Sequence, residues 1–176
     1  MDETAWLTVG RELSTLLDRL DPEEFEKTVR VFVDPARHWF FTGQGRSGLI
    51  AQMAAMRFMH IGRTIHCAGE ASAPSLRKGD GLVIVSASGK TPVSLGFATI
   101  ARTQGAFILV VTQEPASPIA RLADKVLHIP AGDSAQFGGS LFEQSALVVL
   151  DSLILRLVRD APDADRKMHE RHANLQ

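Results

Sequence analysis

Two short turns in this chain have the residue types of an anion site. The first is Gly43-Gln44-Gly45-Arg46-Ser47-Gly48, which follows an apolar stretch and opens a helical pattern. Glycines let backbone approach a ligand closely, and the helix start behind them offers unpaired N–H groups and a positive dipole end. Ser47 either donates to a phosphate oxygen or caps that helix. The second turn, Ser86-Ala87-Ser88-Gly89-Lys90-Thr91, sets three hydroxyls around a glycine. Hydroxyls are compact neutral donors, and several of them with backbone N–H groups can satisfy the oxygens of a phosphate monoester. The bland reading is a polar loop with an N-cap at Ser88 or Thr91, but one cap does not require three hydroxyls.

A third segment, Gly138-Gly139-Ser140-Leu141-Phe142-Glu143-Gln144, opens a long apolar helix. Ser140 and Glu143 have the spacing of a capping box. A carboxylate beside a phosphate site is equally what proton abstraction next to a carbonyl requires. Both readings stay open at this point. The first turn is also a literal G-x-G-x-x-G, with Glu70 about 20 residues downstream, so a nicotinamide enzyme has to be weighed. Against it stand the second hydroxyl turn, which a dinucleotide fold does not need, and a length of 176 residues, which leaves no room for a substrate domain. His60 closes the helix that begins at the first turn, where a cation favours the dipole. His169 and His172 lie in a polar tail; with no third ligand signalled, no metal site is expected.

The elements that must position these residues alternate between strand and helix. Trp6, Val9, Leu13, Leu16, Leu17 and Leu20 recur at helical spacing, and Asp21-Pro22-Glu23-Glu24 reads as the start of a second helix, ended by Asp34-Pro35. Strands are expected at His38–Thr42, Thr64–Cys67, Leu82–Val85, Phe107–Val111 and Val126–Ile129. Helices are expected from about Ser47 to His60, about Pro92 to Thr103, near Ile119 and about Ser140 to Arg159. The unbroken apolar run Leu82–Val85 suits a strand covered on both faces. This alternation predicts a doubly wound α/β fold with a parallel sheet, in which ligands sit beyond the carboxyl ends of the strands. No linker or repeat divides the chain, so a single domain over residues 1–176 is expected, with helical residues 1–35 and a tail at 160–176.

Composition excludes several classes. The formal net charge is −1, and no long run of one sign offers a nucleic-acid surface. No apolar run spans a bilayer, and the start Met1-Asp2-Glu3-Thr4 lacks an export signal's basic and apolar parts. Cys67 is the only cysteine, so no intrachain disulfide or cysteine-based zinc cluster can form. A cytoplasmic protein is the default expectation.

The Ser86-x-Ser88-Gly89-x-Thr91 loop after a Gly-x-Gly-x-Ser turn resembles the sugar isomerase (SIS) family. Within it, Gly45-Arg46-Ser47-Gly48, Met56-Arg57-Phe58-Met59-His60, Gly69-Glu70, Gly139-Ser140-Leu141-Phe142-Glu143-Gln144 and His172-Ala173-Asn174-Leu175 are similar to the 6-phospho-3-hexuloisomerases. The resemblance implies a five-stranded parallel sheet and the interconversion of D-arabino-hex-3-ulose 6-phosphate with fructose 6-phosphate, without a cofactor. It implies a phosphate cradle at Ser47, Ser86, Ser88 and Thr91, and further substrate contacts at Gly45, Arg46, Gly89 and Glu70. It implies Glu143 as base, with His60 or His172 moving hydroxyl protons, in a homo-oligomer, often a tetramer, whose sites neighbouring subunits complete. The family loop usually reads Gly-Ser-Gly-Ser-Gly-Glu-Thr; here two glycines are replaced and the acid becomes Lys90, while Gln176 stands where the family often has Glu. An isomerase of another sugar phosphate is the nearest rival. A non-catalytic sugar-phosphate sensor is another, although the N-terminal 35 residues are too short and too acidic for a DNA-binding segment.

Overall fold

The computed structural model describes residues 4–159 and 161–175. The readings made on Met1-Asp2-Glu3 and on Gln176 lie outside the described residues, as does Asp160 in the tail. In chain order the elements are α1 (Ala5–Leu17), α2 (Pro22–Val31), β1 (Trp39–Gly43), α3 (Arg46–His60), β2 (Ile65–Cys67) and β3 (Gly81–Val85). There follow α4 (Pro92–Gln104), β4 (Phe107–Thr112), α5 (Pro118–Leu122), β5 (Lys125–His128), α6 (Ser140–Val158) and α7 (Ala164–Arg171). The strands form one five-stranded sheet in the order β2-β1-β3-β4-β5, and every pairing is parallel.

Alternation of side chains along the strands builds two cores. Trp39, Phe41, Val83, Val85, Leu109 and Val111 pack on one face against α1, α2, α3 and α6. Phe40, Leu82, Ile84, Ile108 and Val110 pack on the other against α4 and α5. With both faces covered, β3 is buried at every position, as a doubly wound sheet requires. Each fully buried aliphatic side chain of this kind contributes about 1.5–3 kcal/mol. Local signals fix the ends of the elements. The Asp21 carboxylate accepts from Glu23 N at 2.8 Å and Glu24 N at 3.2 Å, starting α2 as its sequence suggests. Gly105 closes α4 in the left-handed region at φ 72°.

Three local features go beyond the plain pattern. Ser140 and Glu143 do not form a capping box: the N-cap is Gly139, and the Ser140 hydroxyl donates instead to the Phe137 carbonyl at 2.8 Å. Within the polar tail a helix forms, and α7 docks beside the end of α3. The apolar face of α1 is buried only toward its end; Leu16 is covered, whereas Trp6 stays exposed. Among the described residues no helix is long and apolar enough to cross a membrane.

Candidate active site

The strand order reverses between β1 and β3, since β2 lies on one side of β1 and β3 on the other. In open parallel sheets that switch leaves a crevice at the carboxyl edge, where connections run to opposite faces. Gly43 pairs with Val85 at the ends of these two strands. The glycine turn and the hydroxyl turn therefore leave from neighbouring positions on strands about 4.8 Å apart. Both turns therefore lie at the carboxyl edge, one on each side of the switch point.

Each turn is held by close packing. A Cβ on Gly43 would lie 2.6 Å from the Ser47 carbonyl oxygen, and one on Gly48 would lie 2.9 Å from that of Gly43. Only glycine at both positions lets the strand end and the start of α3 touch. Gly45 is the N-cap of α3, so Ser47 lies inside the first turn and does not cap it. Its amide belongs to the group of first-turn N–H donors that lack an intrahelical partner. In the hydroxyl turn Thr91 is the N-cap of α4 but makes no side-chain cap bond, leaving its hydroxyl unspent on the helix. Gly89 has φ 59°, and a Cβ there would lie 1.9 Å from Ser117 Oγ.

Sequence reasoning missed two residues that shape this turn. Thr112, at the end of β4, donates through Oγ1 to the Ala87 carbonyl at 2.9 Å and accepts from Glu114 N at 3.1 Å. Ser117 caps α5, accepting from Ala120 N at 3.3 Å, and packs against Gly89. The Ser117-Pro118 pair was a legible helix start; its contact with Gly89 was not.

The polar atoms around the crevice are incompletely satisfied. Ser86 is buried, and its Oγ has no hydrogen-bond partner. Gln144 Oε1 and Ser145 Oγ, near the start of α6, are buried and unpartnered as well. An orphaned buried polar group costs about 1–3 kcal/mol, a cost that a ligand's donors and acceptors can remove. Ser88 is half-buried and Lys90 exposed.

The Glu143 carboxylate meets the Arg46 guanidinium, linking the first turns of α6 and α3. Arg46 is 64% exposed on its side chain while Glu143 is 16% exposed. The acid is thus the more buried partner and the cation the more exposed one. Glu70 lies in the exposed segment after β2, at the same edge of the sheet. It borders a cavity of about 400 Å³ also lined by Met56, His66 and Cys67. Burial first, then Glu70, pushes the Cys67 thiol above its ordinary range.

His60 and His172 are not brought to this crevice. Arg46 and His60 open and close α3, about 21 Å apart at 1.5 Å per residue. The two imidazoles stack on each other, centroids 5.6 Å apart and planes 12° from parallel. His60 is buried with Nδ1 unpartnered, and it borders a cavity of about 310 Å³ with Arg57 and Asp151. Burial, then the Arg57 charge, then His172, hold its pKa below the ordinary 6.5. Its surroundings therefore favour the neutral imidazole. Among the described residues no group of three or more His, Cys, Asp or Glu is placed to hold a metal ion.

Residues 33–156 match the family model described as the SIS domain. Over 176 aligned residues the chain is 39% identical to the 3-hexulose-6-phosphate isomerase of Mycobacterium gastri, covering 96% of this chain and 88% of that one. It is 36% identical over 149 residues to the Bacillus subtilis protein of the same name, covering 79% and 80% of the two chains. Among solved structures, a Methanococcus jannaschii protein for which a 3-hexulose-6-phosphate isomerase function was inferred superposes with a TM-score of 0.86, at 28% identity over 96% of this chain and 97% of that one.

Proposed function

The chain belongs to the SIS domain family, and on that premise we propose that it is an isomerase interconverting D-arabino-hex-3-ulose 6-phosphate and fructose 6-phosphate. Its substrate is the hexulose phosphate formed when formaldehyde is fixed on ribulose 5-phosphate. Within the molecule one observation carries the reading: the Glu143 carboxylate, largely buried and touching Arg46, stands at the edge where the glycine and hydroxyl turns leave adjacent strands. An anion cradle beside a carboxylate suits a phosphorylated ketose that must lose a carbon-bound proton.

In this mechanism the Ser47, Ser86, Ser88 and Thr91 hydroxyls, with first-turn amides of α3 and α4, hold the phosphate. Gly45 and Gly89 allow its close approach, and Lys90 adds charge at the rim. Glu143 removes the proton from C2 of the 3-ketose, and the electron pair moves into a C2–C3 double bond, giving a cis-enediolate. The carbonyl oxygen on C3 gains a proton as the hydroxyl on C2 gives one up. Glu143 then returns its proton to C3, and the carbonyl forms at C2. Arg46, leaving Glu143 for the enediolate oxygens, stabilises the charge as it develops. Glu70 borders the sugar end of the crevice.

The transfer between the two oxygens suits a neutral imidazole, the form that burial favours at His60. Because His60 and His172 lie at the far end of α3 from their own cradle, they act in a neighbour's site. We therefore read the protein as a cytoplasmic homo-oligomer, a tetramer with shared sites, built from one domain per chain. The exposed Leu49, Met53 and Met56 on the outer side of α3 support this reading; monomers seldom leave such a stripe open.

The direct test is turnover of the 3-ketose by purified protein in D2O. Fructose 6-phosphate is the expected product, carrying deuterium at C3 only in the fraction of turnovers in which the Glu143 proton exchanges with solvent before its return. Conversion of a five- or seven-carbon aldose phosphate in its place would reassign the substrate, and binding without turnover would make the protein a sensor.

A further inference from the structure

α1 carries one acid whose side chain is committed to a distant loop. The Glu12 carboxylate accepts three hydrogen bonds from the segment between β5 and α6. Its Oε2 accepts from Ser134 Oγ at 2.6 Å and from Gln136 Nε2 at 3.1 Å. Its Oε1 accepts from Ala135 N at 2.8 Å. Ser134 Oγ in turn accepts from Gln136 N at 3.0 Å, closing the network. The segment has no regular structure of its own, so these bonds are what give it a fixed path.

That path leads to Glu143. Directly after the held residues the Phe137 carbonyl accepts from Ser140 Oγ at 2.8 Å and from Ser140 N at 3.4 Å. Gly138 lies at φ 62°. Gly139 is the N-cap of α6 and accepts from Glu143 N at 3.1 Å. A Cβ on Gly139 would lie 3.8 Å from Glu143 Oε1. Two glycines thus separate the held loop from the helix start, and glycine backbone is free to move unless something outside it fixes the chain.

We propose that Glu12 is a positioning residue: by clamping Ser134, Ala135 and Gln136 it fixes the Gly138-Gly139 entry to α6 and hence the place of the Glu143 carboxylate. The inference rests on the reading of Glu143 as the base. A carboxylate fits the task because it is acceptor-only, with lone pairs enough for all three donors. Its hydrogen bonds, Ser134 first, then Ala135 and Gln136, also hold its pKa below the ordinary carboxylate value. An amide in its place would turn an NH2 group toward a donor on one of the two arms. The helix beyond the first turn is anchored separately, since Leu141 and Phe142 are buried in the core. Loss of the clamp therefore loosens the approach to Glu143 without unfolding α6.

The experiment compares wild type with Glu12→Gln and Glu12→Ala for kcat, KM, thermal midpoint and amide exchange over residues 133–139. The expected result is a fall in kcat of about 10- to 100-fold, since misplacing a reacting group by about 1 Å costs on that order. KM should stay within about twofold, and the Ala135 and Gln136 amides should lose protection. Unchanged kcat, or a drop in thermal midpoint with no change in kcat, overturns the proposal and leaves Glu12 a tether for α1. If wild type shows no isomerase turnover, the isomerase reading fails and the clamp is judged on exchange alone. In that case unchanged protection overturns it.

Discussion

In the proposed reaction Glu143 is the base, and because it rests against the Arg46 guanidinium in the free protein it has to be released before it works. The exposed partner, Arg46, is the one that can leave. Replacing Glu143 by Gln keeps the shape and removes the proton acceptor, so kcat should fall by at least about 100-fold. Binding of the phosphate ester should survive, because the proposed cradle lies on other residues. Residual turnover near the wild-type rate, measured in a coupled assay, would return Glu143 to a structural role. Arg46→Ala should lower kcat more than it raises KM, because the charge it meets develops only in the transition state. At the other end of α3, acid should cost stability. His60 has its pKa lowered by burial, Arg57 and His172. In the unfolded chain it takes up a proton as pH falls through 6.5, while in the folded chain it resists until lower pH. Stability due to this residue is present above 6.5 and is lost as pH falls below it. Denaturant midpoints at pH 7.5 and 5.5 should therefore differ more in wild type than in His60→Gln.

The elements bring sequence-distant turns to one edge of the sheet, and the tightest joint there is Gly89 against Ser117. Alanine at 89 meets both a left-handed φ of 59° and a Cβ position 1.9 Å from Ser117 Oγ. The expected cost is more than about 2 kcal/mol, read as a lower thermal midpoint together with a higher KM. A normal KM in a folded Gly89→Ala protein would remove the hydroxyl turn from the site. Much of this layer was legible in the chain. Leu82–Val85 could be read as a doubly covered strand because nothing polar interrupts it, and Asp21-Pro22 because a cap and a proline act locally. The position of the switch point was not among these, because it depends on the strand order. What resisted reading was contact between distant segments. Ser140-x-x-Glu143 has the spacing of a box, yet Glu143 is drawn to Arg46, 97 residues away in the chain. Glu12 has the pattern of an ordinary surface acid, yet its partners lie 122 to 124 residues on. Periodicity and caps report neighbours within a few residues, and these contacts depend on how the helices return to the sheet edge.

For the molecule as a whole the decisive fact is a length. α3 runs from Arg46 to His60, about 21 Å at 1.5 Å per residue, so it separates the crevice from the stacked imidazoles of the same chain. A reaction that uses both ends of this helix has to borrow one of them from another subunit. The proposed closed symmetric assembly would supply the partner, because an isologous interface repeats each donation in the opposite direction. The consequence is measurable in mixtures. Glu143→Gln and His60→Gln should each be nearly inactive alone. Refolded together in equal amounts, they should regain about a quarter of the wild-type rate, since half of the crevices carry an intact Glu143 and half of those meet an intact His60 under random closed assembly. The apolar residues Leu49, Met53 and Met56 on the open side of α3 offer a way to dissolve the effect. Charged substitutions there should yield monomers by light scattering, and those monomers should bind phosphate esters but not turn them over. Full activity in a monomer would mean that the imidazoles take no part, and that Arg46 and Glu143 alone suffice for the proton transfers.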